Sequence, residues 1–404
     1  MNTARPKILF VGDKWCSADP KFGLAEWENN LFTSLKEVGL AEVEFFHFDE
    51  YYEQNKIKGD ESFIKKIQEY EPNIICMIIY KMPSSDWSVP DWKTIAHIKN
   101  ILKIPIIAIW GDLENAKQVQ ISKALNPYAT LHLATAALSA VKKMGYPDKY
   151  VYMWVPKDPK IFNNPNKNRD IDLSYVGTPK AGRLKMVNYL IENGIPVEHG
   201  GGERQEHLTT EQYADKFQRS KITLSFSRAS DSHVINARPF EAMLCGAMVL
   251  EEESIEAPRL YTPFVDYIPY FGKKDLVEKA KYYLKHNDER ELIARNGFIK
   301  TSTYYSAERF WKFAINRILN KDNSSPYIAE TALTIEHPDL SRLPKWRAFK
   351  LKFLWTLCSN NFGFKIYMGV NKALNWRFYR SLLYKSVVYF VPSIKKLKTK
   401  KARL

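Results

Sequence analysis

Residues 73–80 read NIICMIIY, an apolar run without alternating polar positions. A strand that is buried on both faces gives this pattern, whereas a strand with one solvated face alternates apolar and polar residues. The elements predicted around it are strands at 7–12, 43–48 and 104–112, and helices near 23–38 and 61–70. The sequence therefore predicts an α/β domain with a parallel sheet over residues 1–154.

A second α/β region follows a segment that is typical of linkers. Residues 155–170, VPKDPKIFNNPNKNRD, contain three prolines and four asparagines, which favour turns over regular elements. Beyond them we predict strands at 172–178, 195–202, 221–227 and 247–252, and helices near 181–193, 210–219, 238–246 and 306–319. We therefore expect two Rossmann-like domains, 1–154 and 155–320, that face each other across a cleft and bind ligands at the carboxyl ends of their strands.

Net charge separates these domains from the end of the chain. The 404 residues carry 60 Lys and Arg against 45 Asp and Glu, a net charge of +15. Residues 345–404 contain 15 of the basic residues, 13 aromatic residues and no acidic residue, so the first 344 residues are neutral overall. Residues 321–404 are therefore predicted to be a connector followed by a basic, aromatic C-terminal extension.

The extension predicts an anionic partner. Basic side chains attract anionic lipid headgroups and aromatic rings settle at the membrane interface, so we favour attachment to an anionic membrane surface through 345–404. Two alternatives stay open. The extension folds back on the first domain, or it binds nucleic acid, which is the less favoured of the partners.

Cysteine usage predicts a reducing compartment. Cys16, Cys76, Cys245 and Cys358 are too few and too scattered for a disulfide scaffold, and no CxxC pair occurs. The N-terminus lacks the pattern of a signal peptide, and no run of about 18 apolar residues predicts a membrane-spanning helix. We expect a cytoplasmic protein that is peripheral on the cytoplasmic face of a membrane.

Metal and cofactor chemistry find no support in the sequence. The eight histidines show no HExxH spacing. The DID motif at 170–172 is rejected as a metal site because it precedes a strand instead of following one. We therefore expect neither a metal nor a cofactor.

Two aspartates of the first domain are candidate catalytic residues. Asp13 and Asp112 each follow an apolar strand directly. A carboxylate in that position can act as a general base on an acceptor hydroxyl, although aspartate after a strand is also a common turn former or helix cap.

The loop after the first strand of the second domain is a candidate anion site. It reads VGTPKAGR at 176–183 and leads straight into a helix. Glycine permits close approach of the backbone to a ligand, and a helix N-terminus with basic side chains favours an anion. The glycines at 200–202 form a second loop of this kind, for which a flexible turn is the alternative.

The most specific segment is SHVINARPFEAMLCGAMVLEEE at 232–253. Arg238 and Glu241 are three residues apart on a predicted helix, so both side chains lie on one side of it. A guanidinium suits the diphosphate of a nucleotide-sugar and a carboxylate suits its ribose hydroxyls, while the alternative is a local ion pair. The candidate residues for binding such a nucleotide-sugar, which would be the sugar donor of a transfer reaction, are Gly177, Thr178, Lys180, Arg183, Gly201, Arg238 and Glu241.

These motifs, in this order, resemble the donor domain of the spore-maturation-type glycosyltransferases, a branch of the group 1 glycosyltransferases of GT-B fold. The resemblance covers roughly 150–320, beginning with WVPKDPKIF at 154–162 and ending with GKKDLVEKAKYYLKHNDERELIARNGFIKTSTYYSAERF at 272–310. The first 150 residues resemble the more variable acceptor domain of the family. The resemblance implies a hexosyltransferase-like enzyme of cell-surface glycan biosynthesis.

Individual residues carry the resemblance further. Glu241 resembles the family's ribose-binding glutamate, Arg238 stands three residues before it as in the relatives, and 177–183 resembles the loop that faces the diphosphate. The position eight before Glu241 is also Glu in the retaining relatives, whereas here it is His233. Retention or inversion of configuration is therefore open. His233 is the third catalytic candidate, through contact with the donor sugar or phosphate, and an ordinary loop residue is the alternative.

Taken together, the sequence predicts a metal-independent glycosyltransferase that moves a sugar from a nucleotide-sugar to a glycan or lipid-linked acceptor. Two other functions are compatible with the same observations. A nucleotide-sugar epimerase shares the two-domain architecture, and a nucleic-acid-binding protein would use the basic extension.

Overall fold

The computed structural model describes residues 5–25, 27–83, 86–111, 116–134, 149–165, 168–178, 181–201, 208–226, 237–252, 257–270 and 272–322. The C-terminal extension at 345–404 lies outside these residues, so the structure bears on the two domains alone.

The first sheet has six parallel strands in the described part of the chain. They are β1 (Lys7–Gly12), β2 (Glu42–His47), β3 (Ile74–Ile78), β4 (Ile106–Trp110), β5 (Leu131–Ala134) and β6 (Tyr150–Tyr152). Their spatial order is β2, β1, β3, β4, β5, β6. Every residue of β3 is buried, as the unbroken apolar run predicted, because helices cover both faces of the sheet.

The helices of this domain are α1 (Thr33–Val38), α2 (Phe48–Asn55), α3 (Asp60–Tyr70), α4 (Trp92–Asn100) and α5 (Ala116–Leu125). The helix predicted near 23–38 is shorter than expected: a π-helical segment, Glu28–Phe32, leads into α1. Residues 23–25 pair with the loop after β1 instead of joining the helix: the Cys16 N–H donates to the Gly23 carbonyl (2.9 Å) and the Ala25 N–H to the Lys14 carbonyl (2.8 Å). The buried Asp49 carboxylate holds that loop by accepting the backbone N–H groups of Lys14 (2.8 Å) and Trp15 (2.9 Å). Periodicity alone does not reveal such a contact between distant residues.

The second sheet is also parallel. Its strands are β7 (Ile171–Val176), β8 (Glu198–Gly200), β9 (Ser220–Ser225), β10 (Met248–Glu252) and β11 (Ile268–Tyr270), in the order β11, β10, β9, β7, β8. Its helices are α6 (Ala181–Glu192), α7 (Thr210–Arg219), α8 (Arg238–Leu244), α9 (Ala257–Leu260), α10 (Gly272–Lys285), α11 (Asn287–Tyr304) and α12 (Ala307–Leu319). A capping box of Thr209 and Gln212 fixes the start of α7.

The last helix, α12, returns to the first domain. Its Trp311 indole N–H donates to the Ser34 hydroxyl at 2.9 Å, and its ring meets Phe10 of β1 edge-on at 5.7 Å. The Trp154 indole N–H donates to the Ser306 carbonyl at 3.3 Å, at the N-cap of the same helix. The aromatic core therefore continues from one sheet to the other, and α12 joins the two domains.

Among the helices that the structure describes, all of which end before residue 323, none is long and apolar enough to cross a membrane.

Candidate active site

Each sheet has one point where the strand order reverses. In the first sheet it lies between β1 and β3, and in the second between β7 and β9. At such a point the loops after the two strands diverge and leave a crevice, which is where open α/β sheets bind ligands. Asp13 follows β1, Gly177 follows β7, and α8 follows β9, so the sequence-predicted residues lie at both crevices.

Gly177 is required by its surroundings. Its φ is +139°, a backbone conformation that residues other than glycine rarely adopt. A Cβ at this position would clash with the Arg238 guanidinium. Its N–H donates to the Gly200 carbonyl at 2.8 Å, and its carbonyl lies 3.1 Å from His199 Nε2. Gly201 (φ +79°) lies alongside, where a Cβ would be 3.7 Å from the Gly177 nitrogen. The backbone of this loop is therefore packed directly on Arg238.

Arg238 is held among aromatic rings. Its guanidinium lies over the Tyr175 ring, 5.6 Å from the centroid. Burial lowers the pKa of Arg238, but Tyr213, Tyr175 and Glu241 outweigh that effect and the net shift of its pKa is upward. A permanent cation thus stands beside Gly177 at the crevice of the second sheet.

Glu241 is one helical turn further along α8 and is 5% exposed. One of its oxygens accepts the Tyr213 hydroxyl at 2.6 Å, and the other pairs with the Lys157 ammonium. Lys157 comes from the linker segment, 155–170, at the start of the second domain. Sequence reasoning did not single out Lys157 or Tyr213, although both fall in stretches that carried the family resemblance.

The remaining donor-side candidates lie around the same loop. The Tyr175 hydroxyl donates to the Thr178 carbonyl at 2.8 Å. Arg183 Nη1 lies 3.5 Å from the Tyr175 hydroxyl oxygen and 3.5 Å from the Thr178 carbonyl oxygen. Arg183 therefore stands next to the loop that we predicted to face a diphosphate. Lys180 lies outside the described residues, as do Asp112 and His233.

Asp13 is placed in a site that alters its acidity. Burial raises the pKa of Asp13 to about 7, the Asp49 carboxylate adds to the rise, and the Lys81 ammonium opposes it. Its Oδ1 is buried and has no hydrogen-bond partner among the described residues. A carboxylate with this pKa is suited to take a proton near neutral pH.

Lys81 and Ser88 complete the surroundings of Asp13. Lys81 follows β3 and donates to the Ser88 hydroxyl at 2.9 Å and to the Asp86 carboxylate at 3.3 Å. Both residues were missed by sequence analysis because they are far from Asp13 along the chain. They meet it only because β1 and β3 are neighbours in the sheet.

Half-buried aromatic rings stack in pairs in the segments that follow β1, β2 and β3. Trp27 stacks on Tyr80, which follows β3, with centroids 5.0 Å apart. Trp87 stacks on Tyr52 at 4.4 Å. A Cβ at Gly111, after β4, would lie 2.6 Å from Trp27, so a larger residue there would displace the ring.

The DID motif has structural partners. Asp170 pairs with Arg219 and Asp172 pairs with Lys221, both at 2.6 Å. Within the described ranges, no group of three or more His, Cys, Asp or Glu side chains has the arrangement of a metal site.

Residues 173–316 match the family model described as Glycosyl transferase-like. The enzyme is a glycosyltransferase. This match and the two parallel sheets confirm the predicted fold class and the family resemblance of the second domain. No curated protein sequence matches the glycosyltransferase.

Solved structures share the fold of this glycosyltransferase. Anabaena Alr3699/HepE, in complex with UDP and glucose, matches with a TM-score of 0.53 at 14% identity, over 77% of this chain and 100% of that one. An alpha-glucosyltransferase in complex with UDP-glucose and DNA containing an abasic site matches with a TM-score of 0.52 at 10% identity, over 77% of this chain and 98% of that one. A putative UDP-N-acetylglucosamine 2-epimerase from Listeria monocytogenes matches with a TM-score of 0.51 at 12% identity, over 81% of this chain and 100% of that one. At sequence identities this low, the similarity to these structures shows a shared fold and nothing beyond it.

Proposed function

We propose that this glycosyltransferase moves a hexose from a nucleotide-sugar donor to a glycan or a lipid-linked acceptor without a metal ion. The observation that carries the proposal is the contact between the Gly177 loop and Arg238, one helical turn before the buried carboxylate of Glu241. It puts a cation, a close backbone approach and a hydrogen-bond acceptor in one crevice. A nucleoside diphosphate requires these three elements.

On the donor side, the cations stabilise the leaving group. Arg238 and Arg183, with backbone N–H groups at the start of α6, would take the negative charge that develops on the diphosphate as the glycosidic bond breaks. Lys180 belongs to the same loop and would add to that charge. Glu241 would accept hydrogen bonds from the ribose hydroxyls. This charge distribution is our reason for proposing that no metal is required.

On the acceptor side, Asp13 would act as the general base if the reaction inverts configuration. Its proton affinity suits the removal of a hydroxyl proton at neutral pH. Asp112 and His233 remain the other catalytic candidates, and a retaining reaction needs no enzymic base. The half-buried rings of Trp27, Tyr80 and Trp87 favour a sugar acceptor, because aromatic faces offer apolar contact beside polar groups.

The first experiment is a thermal-shift screen with UDP, GDP, ADP, CDP and their sugars, followed by transfer assays with and without EDTA. HepE contains UDP, so UDP and UDP-glucose are the first ligands to test. We expect one nucleotide to raise the melting temperature by several degrees, because a ligand at 100 times its Kd adds about 2.7 kcal/mol of stability. Transfer should survive EDTA. Loss of activity that Mg²⁺ or Mn²⁺ restores would contradict the metal-independent mechanism.

An epimerase is the second candidate function, because the Listeria epimerase shares the fold to nearly the same degree as HepE. The two activities differ in their need for an acceptor. Incubation with the nucleotide-sugar alone, followed by chromatography of the sugar, separates them. Conversion of the nucleotide-sugar to an isomer in the absence of acceptor would identify an epimerase. A nucleotide-sugar that stays unchanged without acceptor and is consumed when acceptor is added identifies a transferase.

We propose further that residues 345–404 hold the enzyme on the anionic cytoplasmic face of a membrane, in support of cell-surface glycan synthesis. The support is compositional: the net charge of +15 lies in this segment beside 13 aromatic residues. Full-length protein should pellet with phosphatidylserine vesicles and be only partly released by 1 M salt, at which the Debye length is about 3 Å.

A chain ending near Asp339 is the matched control for this experiment. It should stay in the supernatant and still bind the donor. Turnover on a lipid-linked acceptor should fall more than turnover on a soluble one. If the shortened chain pellets as well as the full chain, or if the full chain ignores vesicles and binds DNA or RNA with a steep salt dependence, the nucleic-acid interpretation replaces this one.

A further inference from the structure

The linker contributes a charged side chain to the donor crevice. Lys157 and Glu241 form an ion pair whose side chains are 2% and 7% exposed. A buried charge without a partner is costly, and each of these two side chains supplies the opposite charge that the other needs. This pair therefore restricts the orientation of the Glu241 carboxylate.

The linker itself is anchored to the second domain. The Gln218 side chain, at the end of α7, donates to the carbonyls of Ile161 and Asn163 at 3.1 and 3.2 Å. The Asp158 carboxylate accepts the Lys160 N–H at 2.8 Å and closes the turn that follows Lys157. The Lys157 ammonium therefore reaches Glu241 from a fixed backbone.

Two elements converge on the Glu241 carboxylate in addition to its own helix. Lys157 of the linker takes one oxygen and Tyr213 of α7 takes the other. A carboxylate has about four lone-pair sites, so each oxygen keeps one for a further donor. The two contacts thus restrict the rotation of the carboxylate without using all of its acceptor capacity.

We propose that Lys157 is a positioning residue for donor recognition: with Tyr213 it holds the Glu241 carboxylate in the single orientation that accepts the ribose hydroxyls. This inference rests on the proposed function, in which Glu241 binds ribose. Lys157 acts through Glu241 and does not contact the nucleotide. Its effect should therefore depend on whether the ribose carries its hydroxyls.

The test compares a nucleoside diphosphate with its 2′,3′-dideoxy analogue by calorimetry on the full-length enzyme. The nucleotide is whichever of UDP, GDP, ADP and CDP binds most tightly. Lys157→Met should weaken binding of the ribonucleotide at least tenfold and binding of the dideoxy analogue less than twofold. Lys157→Arg, which keeps the charge, should restore part of the loss. Glu241→Gln should give the same selective loss as Lys157→Met.

Lys160→Met is the matched control. Lys160 lies in the same linker and pairs with Glu37 at 2.5 Å, but its side chain is 74% exposed. We expect both ligands to bind it as they bind the wild type. Because Lys157→Met leaves a buried carboxylate without its cation, the double variant Lys157→Met/Glu241→Gln is included. It removes both charges, should melt close to the wild-type temperature, and should lose no more ribonucleotide affinity than either single variant.

The outcomes separate this inference from the proposed function. If Glu241→Gln is selective and Lys157→Met binds the ribonucleotide normally, the positioning role is wrong and the donor assignment stands. Equal losses for both ligands in Lys157→Met or in the double variant would show a structural role or a direct diphosphate contact, and would also overturn the inference. If Glu241→Gln changes nothing, or if none of the four nucleotides binds, the ribose assignment and the inference both fall.

Discussion

Asp13→Asn is expected to lower kcat by about 10²- to 10⁴-fold, the usual contribution of a general base. The asparagine keeps the shape of the side chain and cannot take the proton of the acceptor hydroxyl. In the wild type, kcat/KM should rise with pH through a midpoint of about 7, because Asp13 must lose its proton to act and its pKa is raised to about 7. The measurement is a pH profile of transfer for both proteins.

Asp19→Asn is the control, because Asp19 lies in the same loop and pairs with Lys21 at the surface. It should leave kcat unchanged. Should Asp13→Asn retain full turnover and the same pH profile, the base is another group or the reaction retains configuration by a mechanism without one.

A stability measurement tests the site of Asp13 independently of turnover. Its folded-state pKa of about 7 lies above the ordinary 3.8, so the folded protein holds the proton more tightly than the unfolded chain. Ionisation therefore costs stability above pH 3.8, and the cost is complete above pH 7. At pH 8, Asp13→Asn should be more stable than the wild type by on the order of 4 kcal/mol, and at pH 4 the two proteins should be nearly equally stable. Urea unfolding at both pH values measures the difference.

Arg238→Lys is expected to lower kcat by about 10²- to 10³-fold, which is the typical cost of removing one donor from a site that stabilises developing charge. Lysine keeps the positive charge but lacks the planar fork that binds two phosphate oxygens at once. It also lacks the guanidinium that lies over the Tyr175 ring in the wild type. Single-turnover kinetics with a saturating donor separates this loss from weaker donor binding.

Arg219→Lys serves as the control for Arg238→Lys, because Arg219 pairs with Asp170 at the surface and should tolerate the change. Gly177→Ala should reproduce much of the Arg238 effect by pushing on the guanidinium, whereas a Cβ at Gly182 in α6 meets no atom within 4 Å and Gly182→Ala should be harmless. Full activity of Arg238→Lys and Gly177→Ala would remove Arg238 from the leaving-group site.

Local pattern alone gave most of the strand positions and the choice of a parallel sheet, whereas the short strands β5, β6 and β11 were not predicted. The apolar run at 73–80 contains β3, and KITLSFS at 221–227 overlaps β9, because burial on both faces of a sheet selects apolar residues without interruption. Gly177, Arg238 and Glu241 could be named as candidates, since a glycine loop after a strand and a polar pair at the start of a short helix are local features; their role in donor binding stays a prediction. The helix near 23–38 was predicted too long because residues 23–25 pair with the loop after β1, which Asp49 from another element holds in place.

Only the tertiary structure decided which distant groups surround these residues. The order of the strands in the sheet buries Asp13 near Asp49, which raises its pKa, and brings Lys81 near it, which opposes the rise. The packing of the linker and α7 against α8 brings Lys157 and Tyr213 to Glu241. Such contacts join residues far apart along the chain, and the free energy that brings them together comes from burial of the whole core. A short window of sequence carries the identity of a side chain, whereas its charge state and orientation depend on the neighbours that this burial supplies.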